Sequence, residues 1–215
     1  MTPDSLTLYH SPASPNSRRV RIFVAEKGLM VPLVAVDLSK GEQHAEAYRK
    51  INPRRVVPTL VLEEDGTAIG EVPAIMRYLD EAFLVNPLLG ATPKDKGLIF
   101  MWERRAELEG FAAVMEGVRN KIAGLKGRAI AGPHDYEQIP ALVERSVLRV
   151  KNFFADFNER LGEVPFVAGE RYSAADITAL VTVDFAKALE LSVPADHTAL
   201  KRWYGSVSSR PSAAA

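Results

Sequence analysis

The first residues that could do chemistry are two serines in the segment 11–21, SPASPNSRRVR. Ser14 precedes Pro15, and a proline favours extended geometry before it and suits the first position of a helix. A hydroxyl placed there can cap the helix by accepting a bond from one of its unpaired N–H groups. The same hydroxyl could donate a hydrogen bond and, beside a helix N-terminus, stabilise an anion such as a thiolate. Local sequence favours the cap for Ser14, and Ser11 is its competitor for any chemical role.

The chain contains no cysteine, so any sulfur chemistry must use sulfur that arrives on a ligand. This composition excludes disulfide bonds, thiolate metal sites and redox transfer through protein thiols. The four histidines are far apart and match no spacing that is typical of a metal site. We therefore expect no bound metal.

Composition and charge indicate a soluble globular protein of one large or two small domains. The chain has 215 residues, of which 47% are hydrophobic and 25% charged. Its 27 basic residues balance 27 acidic residues, so no global field attracts nucleic acid or an anionic membrane. We see no secretory signal and no apolar run of about 20 residues. We expect a cytoplasmic protein without nucleic-acid or membrane partners.

Hydrophobic periodicity predicts an α/β part at the start of the chain. Strands are predicted at 6–9, 33–37, 56–62 and 67–70, and helices at 16–28, 42–51 and 73–83. The resulting order, β-α-β-α-β-β-α, indicates one parallel crossover followed by a β-hairpin.

The rest of the chain is predicted to be helical. Proline and glycine mark a linker over 85–93, after which helices are predicted at 94–120, 135–161, 173–189 and 198–207. Ser173 and Asp176 predict a capping box at the start of the third of these helices, and the tail 210–215 is expected to fray. We therefore expect an N-terminal domain over 1–84 and an all-helical domain over 94–215.

Three motifs resemble those of the cytosolic glutathione transferases. They are the stretch 14–21 leading into AEKG at 25–28, the stretch NPRRVVPTL at 52–60, and the stretch GERYSAADI at 169–177. The second is similar to the family pattern Asn-Pro-x-x-x-Val-Pro-x-Leu. Their order and spacing in a cysteine-free chain support the resemblance, and Ser14 falls where the serine-type classes of the family, namely theta, phi and zeta, have their activating hydroxyl.

The resemblance implies a thioredoxin-like N-terminal domain that binds glutathione. Pro58 would follow a cis peptide bond, and the backbone of Val57 would pair in β fashion with the cysteinyl part of glutathione. Ser14 would be the catalytic residue, whose hydroxyl activates the glutathione thiol. Tyr9 raises the alternative of a tyrosine-type class, but it aligns with the first strand and is expected to pack there.

The resemblance also supplies candidates for the remainder of a glutathione site. Asn16 would orient the Ser14 hydroxyl or cap the helix. Gln43 and His44 fall where the glycyl carboxylate is held, with Lys40 as a less well aligned alternative. Glu71 would pair with the γ-glutamyl amine, or its charge would simply match the dipole of the third helix.

One position departs from the family pattern. Val72 stands where the family has a serine whose hydroxyl and N–H hold the γ-glutamyl carboxylate, and Pro73 removes the next N–H donor. Val72 keeps only its backbone N–H for this purpose. We therefore expect weak glutathione binding.

The helical domain would provide the electrophile pocket and the contacts of a homodimer, which the resemblance implies. Met101, Trp102 and Arg105 are the pocket candidates. Methionine and aromatic residues at helical spacing are also typical of a core, and Arg105 could instead be a surface charge, a dimer contact or a ligand for an acidic substrate.

The expected function is conjugation of the glutathione thiolate to small hydrophobic electrophiles, as in detoxification. One alternative is a zeta-like glutathione-dependent cis-trans isomerase, because the stretch 19–22 resembles that class. The Ser-Ser-Cys signature of the class is absent, since Ser14, Pro15 and Asn16 stand there. The other alternative is a non-catalytic glutathione or ligand-binding protein.

Overall fold

The computed structural model describes residues 2–215 and separates into two compact units. The first comprises the chain up to Pro87 together with the short segments Ala131–Pro133 and Ala214–Ala215. The second comprises Leu88–Ile130 and His134–Ala213.

The first unit is built on a four-stranded sheet of order β2-β1-β3-β4. The strands are β1 (Leu6–His10), β2 (Leu33–Ala35), β3 (Thr59–Leu62) and β4 (Ala68–Ile69), and the helices are α1 (Pro15–Glu26), α2 (Glu46–Ile51) and α3 (Val72–Ala82). β1 pairs with β2 in parallel, whereas the β1–β3 and β3–β4 pairs are antiparallel. This is the predicted crossover followed by a hairpin, and it confirms the thioredoxin-like fold.

The core of this unit lies between the sheet and the helices α1 and α3. Leu8 and Leu60 are fully buried on the strands, as are Phe23 on α1 and Ile75 on α3. Burying each such side chain contributes roughly 1.5–3 kcal/mol, so the sheet and the two helices are held as a rigid support for the loops.

The pairing registers bring four loops to one edge of the sheet. Tyr9 near the end of β1 lies opposite Thr59 at the start of β3, and Leu60 lies opposite Ile69 at the end of β4. The end of β2 lies beside the end of β1, where His10 pairs with Ala35. The loops at 11–14, 36–45, 52–58 and 70–71 therefore leave the sheet at the same edge, which we call the loop edge.

The second unit is all helical. Its helices are α4 (Pro93–Arg105), α5 (Ala112–Lys121), α6 (Ala141–Glu163), α7 (Ala174–Ala186) and α8 (Thr198–Ser208). α7 is buried along nearly its whole length, and Phe153, Phe157 and Trp203 are buried core residues of the same unit. In the part of the chain that the structure describes, no helix has both the length and the apolar character to cross a bilayer.

The predicted capping box on α7 is confirmed, and its carboxylate, that of Asp176, connects three segments of the unit through hydrogen bonds. Asp176 accepts hydrogen bonds from the N–H of Ser173 at 3.0 Å, the N–H of Val167 at 2.9 Å and Nε1 of Trp203 at 2.8 Å. Complete burial raises the pKa of Asp176 to about 6, while these donated hydrogen bonds act to lower it.

Three predicted elements of the first unit differ clearly in extent from the structure, and one of them is the strand predicted at 56–62, because β3 comprises only Thr59–Leu62. The segment 42–51 is not one helix, because Ala45 is extended and separates the 3-10 turn Glu42–His44 from α2. β2 ends at Ala35, and all of its residues are exposed because it is a short edge strand.

Three predictions further along the chain were also incomplete or wrong. The helix predicted from 135 begins at Ala141, since Pro140 disfavours helical geometry in the residue before it. The helix predicted over 94–120 contains the π-helical turn Ala106–Phe111. The tail does not fray, because Pro211–Ala214 forms a 3-10 turn in which Ser212 is buried.

Candidate active site

Ser14 caps α1, as local sequence predicts. Its Oγ accepts a hydrogen bond from the N–H of Ser17 at 3.2 Å, and its own backbone is extended at φ −85° and ψ 120°. A hydroxyl has two acceptor lone pairs and one O–H donor. The cap uses only an acceptor, and no acceptor for the O–H is found among residues 2–215. Capping the helix and donating to a ligand are therefore compatible.

The turn that carries Ser14 is fixed by its neighbours. The N–H of Ser14 donates to the carbonyl oxygen of Ser11 at 3.1 Å, and the N–H of Ser11 donates to Oγ of the buried Ser17 at 3.2 Å. Asn16 does not cap the helix, since its Oδ1 accepts a bond from Arg19 at 3.2 Å. The structure shows no bond between Asn16 and the Ser14 hydroxyl.

The surroundings of this turn favour negative charge. The first turn of α1 contains no acidic residue, and the unpaired N–H groups of a helix N-terminus carry partial positive charge. Arg21 donates to the carbonyl oxygen of Ser11 at 3.2 Å and lies 3.2 Å from Nδ1 of His10. Burial, together with the charge of Arg21, lowers the pKa of His10.

A buried polar network holds the loop that precedes β3. The hydroxyl of Tyr48 donates to the carbonyl oxygen of Val56 at 2.6 Å and lies 2.9 Å from Oγ1 of Thr59. Nδ2 of Asn52 donates to the same two groups, at 3.1 Å and 2.8 Å. Burial raises the pKa of Tyr48, so its hydroxyl keeps the proton that it donates. These hydrogen bonds hold Val56 and Thr59, which flank Val57 and Pro58, in place.

The peptide bond between Val57 and Pro58 is cis, as the resemblance implies. Both residues are buried. Among the described residues, neither the N–H nor the carbonyl oxygen of Val57 has a hydrogen-bond partner. Buried backbone groups are rarely left unpaired, so Val57 offers a donor and an acceptor to an extended peptide at the loop edge.

The two candidates for the glycyl carboxylate occupy the 3-10 turn Glu42–His44 and differ in exposure. The side chain of Gln43 is buried, and its Oε1 has no hydrogen-bond partner among the described residues. His44 is exposed. Lys40 is also exposed, and its Nζ lies 3.3 Å from Asp37.

Glu71 and Val72 lie at the beginning of α3, on the same loop edge. Glu71 is exposed, with a left-handed φ of 63° and no side-chain hydrogen bond that caps the helix. Val72 is buried, and Pro73 follows it in the first turn. The start of α3 at Val72, where the sequence departs from the family pattern, therefore offers few backbone N–H donors to a ligand.

The three pocket candidates of the helical unit have different environments. Met101 on α4 is 44% exposed, whereas Trp102 is buried with its ring edge to face with that of Phe157. The guanidinium groups of Arg105 and Arg160 each lie 4.5 Å from the Trp102 ring centroid. Trp102 is therefore a core residue of this unit, which leaves Met101 and Arg105 as the accessible candidates.

Sequence reasoning assigned no role to Tyr48 or Ser17, although both fix loops at this edge. The motif at 52–60 drew attention to the loop, but no local pattern indicates a tyrosine hydroxyl packed beneath it. Among residues 2–215, no group of three or more histidine, aspartate or glutamate side chains is placed to hold a metal ion.

Comparison with known proteins covers both units. Residues 8–87 match the family model "Glutathione S-transferase, N-terminal domain", and residues 122–211 match "Glutathione S-transferase, C-terminal domain". Glutathione S-transferase 2 of Saccharomyces cerevisiae is 34% identical over 96% of this chain and 87% of its own length. Disulfide-bond oxidoreductase YfcG of Escherichia coli is 28% identical over 96% of this chain and 91% of its own. The crystal structure of a glutathione S-transferase domain-containing protein from Marinobacter aquaeolei has a TM-score of 0.88 and 35% identity, and it covers 96% of this chain and 98% of that one.

Proposed function

The chain belongs to the glutathione S-transferase family, and from that premise we propose that it conjugates glutathione to small hydrophobic electrophiles. The observation that carries the proposal is the Ser14 hydroxyl, a buried donor at the N-terminus of α1 for which residues 2–215 provide no acceptor. A thiolate bound there would accept that hydrogen bond and benefit from the helix dipole.

The proposed reaction uses a thiolate prepared by the protein. A free thiol has a pKa of about 8.5, and the Ser14 donor would lower the pKa of the bound thiol so that more of it is ionised at neutral pH. The sulfur then attacks an electrophilic carbon, a C–S bond forms, and the leaving group departs with its electron pair. Holding the two reactants together reduces the entropic part of the barrier.

We assign the peptide part of glutathione to the loop edge. The free N–H and carbonyl oxygen of Val57, which precedes Pro58, would pair with the cysteinyl backbone. The Gln43 amide would reach the glycyl end, where its unpartnered Oε1 could accept from the glycyl N–H while Nε2 donates to the carboxylate. His44 lies beside it and Asn16 lies near the sulfur end.

The γ-glutamyl end is assigned to the start of α3. Glu71 would pair with the amine, and the N–H of Val72 would donate to the carboxylate. Because Val72 has no hydroxyl and Pro73 has no N–H, this end would be held less firmly, and we expect modest affinity for glutathione.

The helical domain, 94–215, is assigned the electrophile pocket and the contacts of a homodimer, and the domain 1–84 the glutathione site. Met101 supplies an exposed apolar surface and Arg105 supplies a positive charge. Nε of Arg105 also forms an ion pair with Oε1 of Glu109 at 3.3 Å. We expect the enzyme to act in the cytoplasm, in detoxification.

Conjugation of glutathione to a chloronitroaromatic compound tests the proposal. We expect a rate above the uncatalysed reaction that falls in the variant Ser14→Ala. Glutathione binding without any conjugation would favour a binding protein, and turnover confined to maleyl diacids would favour the isomerase. Absence of glutathione binding at millimolar concentration would refute the assignment.

A second candidate activity is reduction of disulfide bonds by glutathione, which the likeness to Disulfide-bond oxidoreductase YfcG favours. The chain has no cysteine, so both reducing thiols would be glutathione. One glutathione thiolate would attack the disulfide and release a first thiolate, and a second would resolve the mixed disulfide and leave glutathione disulfide. Reduction of a small disulfide such as hydroxyethyl disulfide, compared with conjugation, would show which activity dominates.

A further inference from the structure

The side chain of Arg21 on α1 reaches back to the turn that carries Ser14. Arg21 lies seven residues after Ser14, which is close to two full helical turns and places it on the same side of the helix. Side chains of a helix tilt toward its N-terminus, and Nη1 of Arg21 donates to the carbonyl oxygen of Ser11 at 3.2 Å. The guanidinium is therefore directed at the turn 11–14.

The carbonyl oxygen that Arg21 binds is the one on which this turn closes. The same oxygen of Ser11 accepts the N–H of Ser14 at 3.1 Å, and a carbonyl oxygen has two lone pairs for two such bonds. Pro12 and Pro15 have no N–H, so the segment 11–15 has few backbone donors with which to hold its own shape. Because a hydrogen bond from a charged donor is stronger than one between neutral groups, Arg21 strongly restrains the position of Ser14.

His10 and Ala215 hold the guanidinium in that direction. Nη1 of Arg21 also lies 3.2 Å from Nδ1 of His10, the buried last residue of β1, and Nη2 donates to the carbonyl oxygen of Ala215 at 3.3 Å. Burial and the charge of Arg21 lower the pKa of His10, so the imidazole is neutral at neutral pH and its Nδ1 can accept from Arg21. The long side chain of Arg21 is therefore anchored at both nitrogens of its fork.

Other arginines of the first unit are placed differently. Nη1 of Arg19, two residues earlier on α1, donates to Oδ1 of Asn16 at 3.2 Å, a contact within the helix. Arg49 on α2 is exposed, and its side chain has no ion pair or hydrogen bond with any of residues 2–215. Arg49 therefore provides a control for loss of a positive charge.

We propose that Arg21 is a positioning residue for the reaction, which holds the turn 11–14 and thereby places the Ser14 hydroxyl against the sulfur of bound glutathione. The inference rests on the proposed function, in which Ser14 donates to that sulfur. Arg21 touches neither reactant and acts through Ser11 and Ser14. Its loss leaves the hydroxyl in the protein but lets its position vary, and a hydrogen bond weakens steeply when its geometry is poor.

Titration of the bound thiol in a double-mutant cycle tests whether Arg21 acts through Ser14. The four proteins are the parent, Arg21→Met, Ser14→Ala and the double variant, each followed by thiolate absorbance with saturating glutathione. In the parent background, Arg21→Met should raise the pKa of the bound thiol by about half a unit to one unit. In the Ser14→Ala background it should have no effect, because the hydroxyl that Arg21 positions is gone.

Kinetics with a chloronitroaromatic substrate separates positioning from a general loss of structure. Turnover at neutral pH and saturating glutathione should fall about three- to tenfold in Arg21→Met, while the KM for glutathione changes by less than about twofold. The control Arg49→Gln should match the parent in both quantities. An arginine with a merely structural role would lower the melting temperature without moving the pKa of the bound thiol.

The variant Arg21→Lys keeps the experiment decisive if Arg21→Met does not fold. Lysine retains the charge and a donor for the carbonyl oxygen of Ser11 but lacks the planar fork that also binds Ala215. We expect a smaller rise in the pKa of the bound thiol than with methionine in the parent background, and no rise in the Ser14→Ala background.

The outcomes distinguish this proposal from the function on which it rests. If Ser14→Ala raises the pKa of the bound thiol and the folded Arg21 variants do not, the role of Arg21 is wrong and that of Ser14 stands. If an Arg21 variant raises the pKa equally in both backgrounds, the charge acts on the thiolate directly and the positioning role is wrong. If the parent does not bind glutathione, the proposed function fails and the role of Arg21 fails with it.

Discussion

Replacing Ser14 with alanine removes one hydrogen bond that the structure shows and one that the mechanism requires. The first is the cap, in which Oγ accepts from the N–H of Ser17 at 3.2 Å. Losing a serine cap costs about 0.5–2 kcal/mol of stability. The second is the O–H donated to the glutathione sulfur, and its loss should appear in the titration of the bound thiol.

The expected size of that second effect follows from the charge of the acceptor. A hydrogen bond to a charged group contributes roughly 1.5–3 kcal/mol, and each ~1.4 kcal/mol that favours the thiolate over the thiol changes the pKa by one unit. We therefore expect the pKa of the bound thiol to rise by about one to two units in Ser14→Ala. Turnover at neutral pH should fall about 10- to 100-fold and recover at higher pH, while glutathione affinity changes much less.

Ultraviolet absorbance of the thiolate, followed against pH with saturating glutathione, measures this directly. The matched control is Ser14→Asp, which keeps an acceptor for the cap but has no proton to donate. We expect Ser14→Asp to regain the stability that alanine loses, without regaining thiolate at neutral pH. If the bound thiol titrates at the same pH in the parent and in Ser14→Ala, the hydroxyl does not activate glutathione.

Three further predictions concern other parts of the chain. Val72→Ser should bind glutathione about tenfold more tightly than Val72→Ala, because both lose valine packing and only serine adds a donor; equal affinities by calorimetry would mean that the γ-glutamyl end is held elsewhere. Burial raises the pKa of Asp176 to about 6, so its contribution to stability is fully present below about pH 4 and is lost as the pH rises through 6. The stability of the parent relative to Asp176→Asn should therefore fall by up to about 3 kcal/mol between pH 4 and pH 7, and urea unfolding that shows a constant difference would contradict the raised pKa. Nζ of Lys27 lies 2.8 Å from Oδ1 of Asp80 in a buried ion pair. Lys27→Met should lower the free energy of unfolding by about 3–5 kcal/mol, because the charge of Asp80 stays buried after its counter-charge is removed, and the double variant Lys27→Met/Asp80→Leu should lose much less. If thermal unfolding shows that the losses of the two single variants simply add in the double variant, the ion pair is not their cause.

The sequence predicted helices and strands correctly wherever their hydrophobic periodicity reflects burial against a core. α1, α3, α7 and α8 and the hairpin β3–β4 have apolar residues that face a core, and the sequence pattern reports that directly. The start of α6 was predicted too early, because apolar residues at 136 and 139 continue a helical pattern into an exposed segment before Pro140 that is not helical. The tail was predicted to fray from its composition, but Ser212 is buried by contacts that no local pattern describes.

The candidate site was predictable where a motif fixes local geometry. The motif at 52–60 located the cis bond before Pro58, and the Ser-Pro step located the cap at Ser14. Arg21 was not recognised as part of the site, because its contacts come from the packing of α1 beside the end of β1, which no local pattern describes. The polar network around Tyr48 was missed for a similar reason, since tyrosine on a short helix is equally typical of an apolar core.

The ambiguity of Ser14 in the sequence has a physical origin. A cap requires a small hydroxyl-bearing residue in extended conformation, directly before the first helical turn. Activation of a thiolate requires a hydroxyl at the positive end of a helix dipole, which is the same residue at the same place. Because the cap uses a lone pair of the oxygen and the thiolate would use its proton, one atom can do both at once, and the acceptor bond from Ser17 holds the oxygen in place for the donor bond. Sequence and stability therefore report only the cap, and the titration of the bound thiol is the measurement that reports the second role.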